Sequence, residues 1–210
     1  MMTNHFSIHK HHPWHGISPG DGQPQIVTAF IEIVPGDTVK YEVDKASGYL
    51  KIDRPQLFSN TTPALYGFIP QSYCGDSIAA FCAQQSGKKI KNGDGDPLDI
   101  CVLCECPVTH GDIILRAVPI GGLRMIDKGE ADDKIIAVLL GDPAYSQYKD
   151  ISELPKPMLD RLRHYFLTYK AIPGETDQPV EIDAVYGSSE AYEVIRRSLA
   201  DYKILVAGSK

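Results

Sequence analysis

The 210-residue chain holds no apolar run longer than about seven residues, 135–141, far below the roughly 18 that a membrane-spanning helix needs. The segment from Met1 to His15 is polar and His-rich and lacks the apolar stretch of a secretory leader. Positive charge is in deficit. Twenty-one Lys and Arg stand against 27 Asp and Glu, a formal charge of −6, which argues against a chain that works by neutralising nucleic-acid phosphates. Cysteines number five, an odd count, with Cys101, Cys104 and Cys106 close together, so a disulfide framework is not expected and a cytoplasmic location is. A strand period puts Cys104 and Cys106 on one face and Cys101 on the other, as small core residues. A zinc site would have to recruit Cys74 and Cys82, whose spacing is not that of a knuckle. Disorder is excluded as well, because 43% hydrophobic residues over this length suffice for one core.

What is present is frequent punctuation: 18 Gly and 15 Pro separate short β-branched and aromatic runs. Strands are expected at 26–34, 38–44, 49–53, 98–105, 112–119 and 134–140, with Ser47-Gly48 turning a hairpin. Two segments have helical spacing. Leu159, Leu162, Phe166 and Tyr169 follow Pro155 and Pro157, and Tyr192, Ile195, Leu199 and Tyr202 follow Ser188. Strands followed by two helices, without strand–helix alternation, imply an α+β fold: a small closed OB-like β-barrel of mostly antiparallel strands with two flanking α-helices. The organisation read from this is an N-terminal arm, 1–24, and a single domain, 25–210. The five arm histidines, His5, His9, His11, His12 and His15, read as solvated.

The chemistry is concentrated in Asn92-Gly-Asp94-Gly-Asp96-Pro-Leu-Asp99, three carboxylates at a strand entrance. Like charges this close repel unless something neutralises them, and hard divalent cations such as Mg²⁺ or Ca²⁺ do so. Gly95 permits a tight turn and Pro97 stiffens the loop. An EF-hand fails, since Asp99 stands at the sixth loop position where Gly is required and a strand follows. A second acidic cluster, 127–134, lies between two further strands, so two carboxylate loops on strand ends point to a site holding more than one metal ion. On the strand 38–44, Lys40 and Glu42 share a face opposite Tyr41. Arg54 closes the next strand, and Tyr169-Lys170 ends the first helix. Cations gathered beside acidic loops describe a metal–polyphosphate site.

These residues resemble family I soluble inorganic pyrophosphatases. The pattern D-G-D-P-[apolar]-D stands as Asp94 to Asp99. The likeness extends through Ile31 to Pro35, Lys40 to Lys45, Ser47-Gly48, Asp53-Arg54 and Tyr66 to Pro70, and resumes at Asp127 to Lys134 and His164 to Lys170. His12-Pro-Trp-His15 resembles the start of longer members, so roughly residues 12 to 170 are covered. The resemblance implies Mg²⁺-dependent hydrolysis of pyrophosphate to two orthophosphates, with several ions per site and a metal-bridged water. It implies Asp94, Asp99 and Asp132 as ligands of the first ions, Asp127, Glu32 and Glu42 as holders of the ions that enter with substrate, and Asp96 as general base. Lys40, Arg54, Tyr66, Tyr169 and Lys170 would bind phosphate oxygens, and Lys134 would orient Asp132 or touch substrate. Thr62 stands where many members carry a further active-site Tyr, and 71–91 is an extra stretch expected to form a short helix or a flap. A homo-oligomer is implied, hexameric in bacterial members and dimeric in eukaryotic ones. Two other classes stay open at this level: an OB-like oligonucleotide module, disfavoured by the charge, and a divalent-cation-binding protein without turnover.

Overall fold

The computed structural model describes residues 10–170, 172 and 180–208. His5 and His9 lie outside the described residues. Among the described residues nine strands and three α-helices follow one another as β1 (Val27–Ile33), β2 (Val39–Val43), β3 (Leu50–Pro55), β4 (Leu65–Phe68), α1 (Asp76–Ser86), β5 (Asp99–Leu103), β6 (Ile113–Asp127), β7 (Glu130–Ala131), β8 (Lys134–Leu139), α2 (Lys156–Thr168), β9 (Val180–Gly187) and α3 (Ser188–Ala207), with a 3₁₀ turn at Ile151–Glu153. Seven strands form one sheet in the order β1-β4-β5-β8-β6-β7, with β9 added to β6. The additional β1–β6 pairing brings the path back to its first strand and closes a ring, the OB-like barrel expected from the strand pattern. Strands β2 and β3 form a separate hairpin sheet. No helix among the described residues is long and apolar enough to cross a membrane.

One ladder departs from the antiparallel rule and matters for function. Strands β5 and β8 run parallel with Asp99 opposite Lys134, so the strand entrances of both acidic loops emerge side by side. Alternate residues of these strands enter different apolar clusters. Ile100, Val102, Ile135 and Ala137 join the cluster shared with α1 and α3, whereas Cys101, Leu103, Ile136 and Val138 join the one shared with α2. Burial of both faces explains why β5 and β8 read as unbroken hydrophobic runs.

The sequence-based plan needs four corrections. Strand β6 does not stop at Pro119 but continues to Asp127, with a bulge between Pro119 and Gly121. The glycines that look like terminators are there for close approach, since a Cβ on Gly122 would fall 2.4 Å from the Tyr186 ring of β9. Strands β4, β7 and β9 were not expected at all, and β4, four residues containing Gly67, is too short to show a period. Within the extra stretch 71–91, Asp76–Ser86 form the helix α1, one of the two forms expected there, so among the described residues the α-helices number three rather than two, and α1 packs on α3. Strand β5 ends at Leu103, which leaves Cys104 and Cys106 beyond it. Cys101 is buried, Cys106 is exposed, and all five thiols are free.

Most of the described part of the arm is exposed, His11 and His15 included, but it is docked on the domain through Trp14. Trp14 is buried, its Nε1 donates to the Ser72 carbonyl at 2.8 Å, and His15 Nδ1 lies 2.8 Å from the Tyr202 hydroxyl of α3. Apolar and hydrogen-bonding surface on the Trp14 indole outweighs the polarity of its His neighbours.

Candidate active site

The two acidic loops are stitched to each other before any side chain is considered. Gly93 and Ala131 form a parallel bridge. The Asp94 amide donates to the Ala131 carbonyl at 3.1 Å, and the Ala131 amide donates to Asn92 at 2.9 Å. Behind them the Cys74 amide donates to the Asp96 carbonyl at 2.8 Å. Only glycine fits at 93, because a Cβ there would sit 2.1 Å from the Cys74 carbonyl oxygen. The segment leading into α1 thus supports the loop, and α1 is itself held in place: the Asp201 carboxylate of α3 accepts from the Gly75, Ser77 and Ile78 amides at 3.1–3.2 Å.

These loops open on a cavity of about 320 Å³, within the range of small-molecule sites. Its walls contain Glu32, Lys40, Glu42, Tyr66, Asp94, Asp96, Asp99, Asp127, Asp132, Lys134, Tyr169 and Lys170. Every site residue nominated from the sequence is therefore brought together except Arg54. That residue lies opposite Lys40 in the β2–β3 ladder, but its guanidinium turns back onto the Pro55 carbonyl at 3.2 Å. Thr62 is buried, 3.2 Å from the Tyr165 hydroxyl, and does not line the cavity.

Lys134, Lys40 and Lys170 are each paired with carboxylates around the cavity. Lys134, almost fully buried, bonds both Asp99 and Asp132. Burial alone would push its ammonium toward neutrality, but Asp132 and Asp99 outweigh it and hold the group charged well above its ordinary range. The Tyr66 hydroxyl also donates to Asp99, at 2.6 Å. Lys40 pairs with Glu42 and with Asp53 (3.1 Å), contacts that overcome its desolvation and raise its pKa. Lys170 reaches Asp127 at 2.5 Å and lies over the Tyr169 ring at 5.1 Å; against burial, these neighbours raise its pKa too.

The remaining carboxylates are under electrostatic stress. Burial, reinforced by Asp132 and by Asp99, pushes Asp94 up to about 9. Burial pushes Glu32 up to about 8, although the Val43 amide donates to its carboxylate at 2.6 Å. Asp127 Oδ1 is buried without a hydrogen-bond partner among the described residues. Eight acidic and four basic side chains line the cavity, a formal excess of four negative charges. Among the described residues no three carboxylates already surround a single point, because the ammonium of Lys134 stands between Asp99 and Asp132. The donor set nonetheless fits hard divalent ions: oxygen ligands only, carboxyls held protonated for want of a counter-charge, and one orphaned oxygen.

Four lining residues that carry polar side-chain groups had no role assigned from the sequence: Trp14, Lys45, Glu130 and Tyr165. Lys45 pairs with Asp96. Its position in the hairpin motif Lys40 to Lys45 was the available signal.

Carboxylates facing ammonium and phenol groups at the mouth of a small β-ring define a class: metal-assisted hydrolases of phosphoryl groups. Comparison with known proteins agrees and narrows it. The family model described as inorganic pyrophosphatase matches residues 29–203. The chain is 51% identical over 195 residues to the inorganic pyrophosphatase of Chlamydia muridarum, covering 91% of this chain and 93% of that one. It is 39% identical to soluble inorganic pyrophosphatase 1 of Arabidopsis thaliana, covering 91% and 80%. The crystal structure of inorganic pyrophosphatase from Thermus thermophilus superposes with a TM-score of 0.76 at 29% identity, covering 91% and 99%. The chain belongs to the family I soluble inorganic pyrophosphatases.

Proposed function

We propose that the protein hydrolyses inorganic pyrophosphate to two orthophosphates with Mg²⁺, using the cavity between the two acidic loops. The observation that carries this reading is the charge balance: a cavity whose carboxyl groups outnumber its ammonium groups eight to four disfavours a polyanion unless divalent cations accompany it, and its four ammonium groups are already engaged with carboxylates. Asp94, Asp99 and Asp132 would hold the first ions, and Asp127, Glu32 and Glu42 those that arrive with the substrate. Bound there, divalent ions lower the pKa of water toward neutrality and offset phosphate charge.

The protein's own groups do the rest. Asp96, half-exposed at the cavity mouth, accepts the proton of the attacking water. Lys40, Lys170 and the Tyr169 hydroxyl bind phosphate oxygens and stabilise charge on the leaving group. Tyr66 and Lys134 keep Asp99 and Asp132 oriented. Arg54 would join the substrate by leaving the Pro55 carbonyl, a half-exposed contact that costs little to break. Trp14 forms part of the site wall, so the described part of the arm 1–24 works with the single domain 25–210 rather than apart from it. The free thiols suit a cytoplasmic protein, and a homo-oligomer is expected.

The test is release of orthophosphate from pyrophosphate with Mg²⁺ and with EDTA. Turnover should require Mg²⁺, and Asp96→Asn should lower kcat by roughly 10²–10⁴-fold, the span of general acid–base catalysis, with the fold unchanged by circular dichroism. Mg²⁺ binding without phosphate release would overturn the reading.

A further inference from the structure

Asp96 is poorly constrained by the main fold. It sits in a loop, and its side chain is half-exposed. Its backbone is fixed, by the Cys74 amide and by its own amide donating to Asp94 Oδ1 at 3.0 Å, but among the described residues the partner its carboxylate shows is the Lys45 ammonium.

Lys45 is held by the N-terminal segment. Its ammonium lies 5.9 Å from the centre of the Trp14 ring, and its carbonyl is 3.1 Å from His12 Nε2. The Trp14 ring is pinned in turn by the Ser72 carbonyl and by stacking on His15 at 4.4 Å. The Trp14 carbonyl accepts from the Gln71 amide at 2.9 Å. A Cβ on Gly48 would fall 2.9 Å from His12, so segment and hairpin turn are in close contact. Trp14 and Lys45 both line the cavity. A continuous chain of contacts therefore runs from residues 71–72 through Trp14 and Lys45 to the Asp96 carboxylate.

We propose that Lys45, seated over the Trp14 ring, is a positioning residue that orients the Asp96 carboxylate for proton transfer. This rests on the assignment of Asp96 as general base. A long, flexible ammonium on a turn would otherwise wander, and the indole face gives it a preferred seat. The general base must lie within hydrogen-bond reach of the water proton, so a small misplacement costs rate rather than substrate affinity.

The experiment compares the full-length wild type with Lys45→Met, Lys45→Arg, Asp96→Asn and the Lys45→Met/Asp96→Asn double variant, each with Mg²⁺. Lys45→Met should lower kcat about tenfold with KM within about twofold, and Lys45→Arg should restore most of the loss. In the Asp96→Asn background, Lys45→Met should have no further effect. Trp14 is the chain's single tryptophan, so its emission should change in Lys45→Met and return toward wild type in Lys45→Arg, without any turnover. Lys45 is exposed, so the variants should fold as the wild type does, which unchanged thermal melting verifies. A raised KM at unchanged kcat, an additive loss in the double variant or unaltered Trp14 emission would each overturn the proposal. Failure of the wild type itself to release phosphate would instead sink the hydrolase reading.

Discussion

Lys134 is the side chain whose burial is hardest to reconcile with its charge, and the two carboxylates on it are what make it tolerable. Removing one partner of a buried ion pair leaves the others uncompensated and costs roughly 3–5 kcal/mol. Lys134→Met should therefore lower the stability of the metal-free protein by about 3 kcal/mol in urea unfolding. Added Mg²⁺ should recover part of that loss, because the vacated carboxylates Asp99 and Asp132 can then take the cation. Failure of Mg²⁺ to restore any stability would mean that these carboxylates are not ligands. The same residue shows what single-position reasoning leaves out: its neighbour in sequence, Asp133, is also buried, bonds the Tyr186 hydroxyl at 3.0 Å and is pushed by burial to about 7, with no place in the cavity.

Among the elements, the segment leading into α1 supports the acidic loop from behind, and the N-terminus of α1 depends on one carboxylate from α3. Asp201 accepts from three amides that would otherwise be orphaned at the start of α1. Asp201→Ala should destabilise the protein by about 1–2 kcal/mol, the span of strong capping contacts, with turnover of the folded protein largely kept. Calorimetry beside the phosphate assay checks both. Gly93→Ala should behave differently. Its Cβ meets the Cys74 carbonyl, so the loop itself must shift and turnover should fall by more than tenfold even where the protein still folds. The β2–β3 hairpin, a sheet of its own, is joined to the ring partly through the Val43–Glu32 hydrogen bond and partly through the arm, which is how Lys40, Glu42 and Lys45 come to face the loops.

For the molecule as a whole, concentrating acid in one cavity makes stability depend on pH and metal together. Glu32 and Asp94 have folded pKa values raised to about 8 and about 9, so between their ordinary range and those values the folded state binds more protons than the unfolded one. Stability of the metal-free protein should accordingly fall as pH rises from about 5 to 9, and saturating Mg²⁺ should reverse the trend by supplying the missing counter-charge, with proton release on binding. Thermal melting at pH 5, 7 and 9, with and without Mg²⁺, measures it; a metal-free melting temperature that rises over this range would contradict the assignment. The acidic loops and the Lys40–Glu42 face of the cavity were legible in the chain itself, because clustered carboxylates and the spacing of Asp94 to Asp99 are local patterns with a chemical cost that a ligand explains; Glu32 and Tyr66 were reached only through the family resemblance, and Trp14, Lys45, Glu130 and Tyr165 were assigned no role. The strand-rich α+β class was legible too, since alternation and turn residues are local. What the tertiary structure alone decided is long-range: the parallel β5–β8 register that sets Asp99 against Lys134, the continuation of β6 through Pro119 and its glycines, the withdrawal of Arg54, and the docking of Trp14 and Lys45 beside Asp96. Pairing register, ring closure and side-chain desolvation depend on partners tens of residues away, and no local period encodes which partner a strand or a charge will meet.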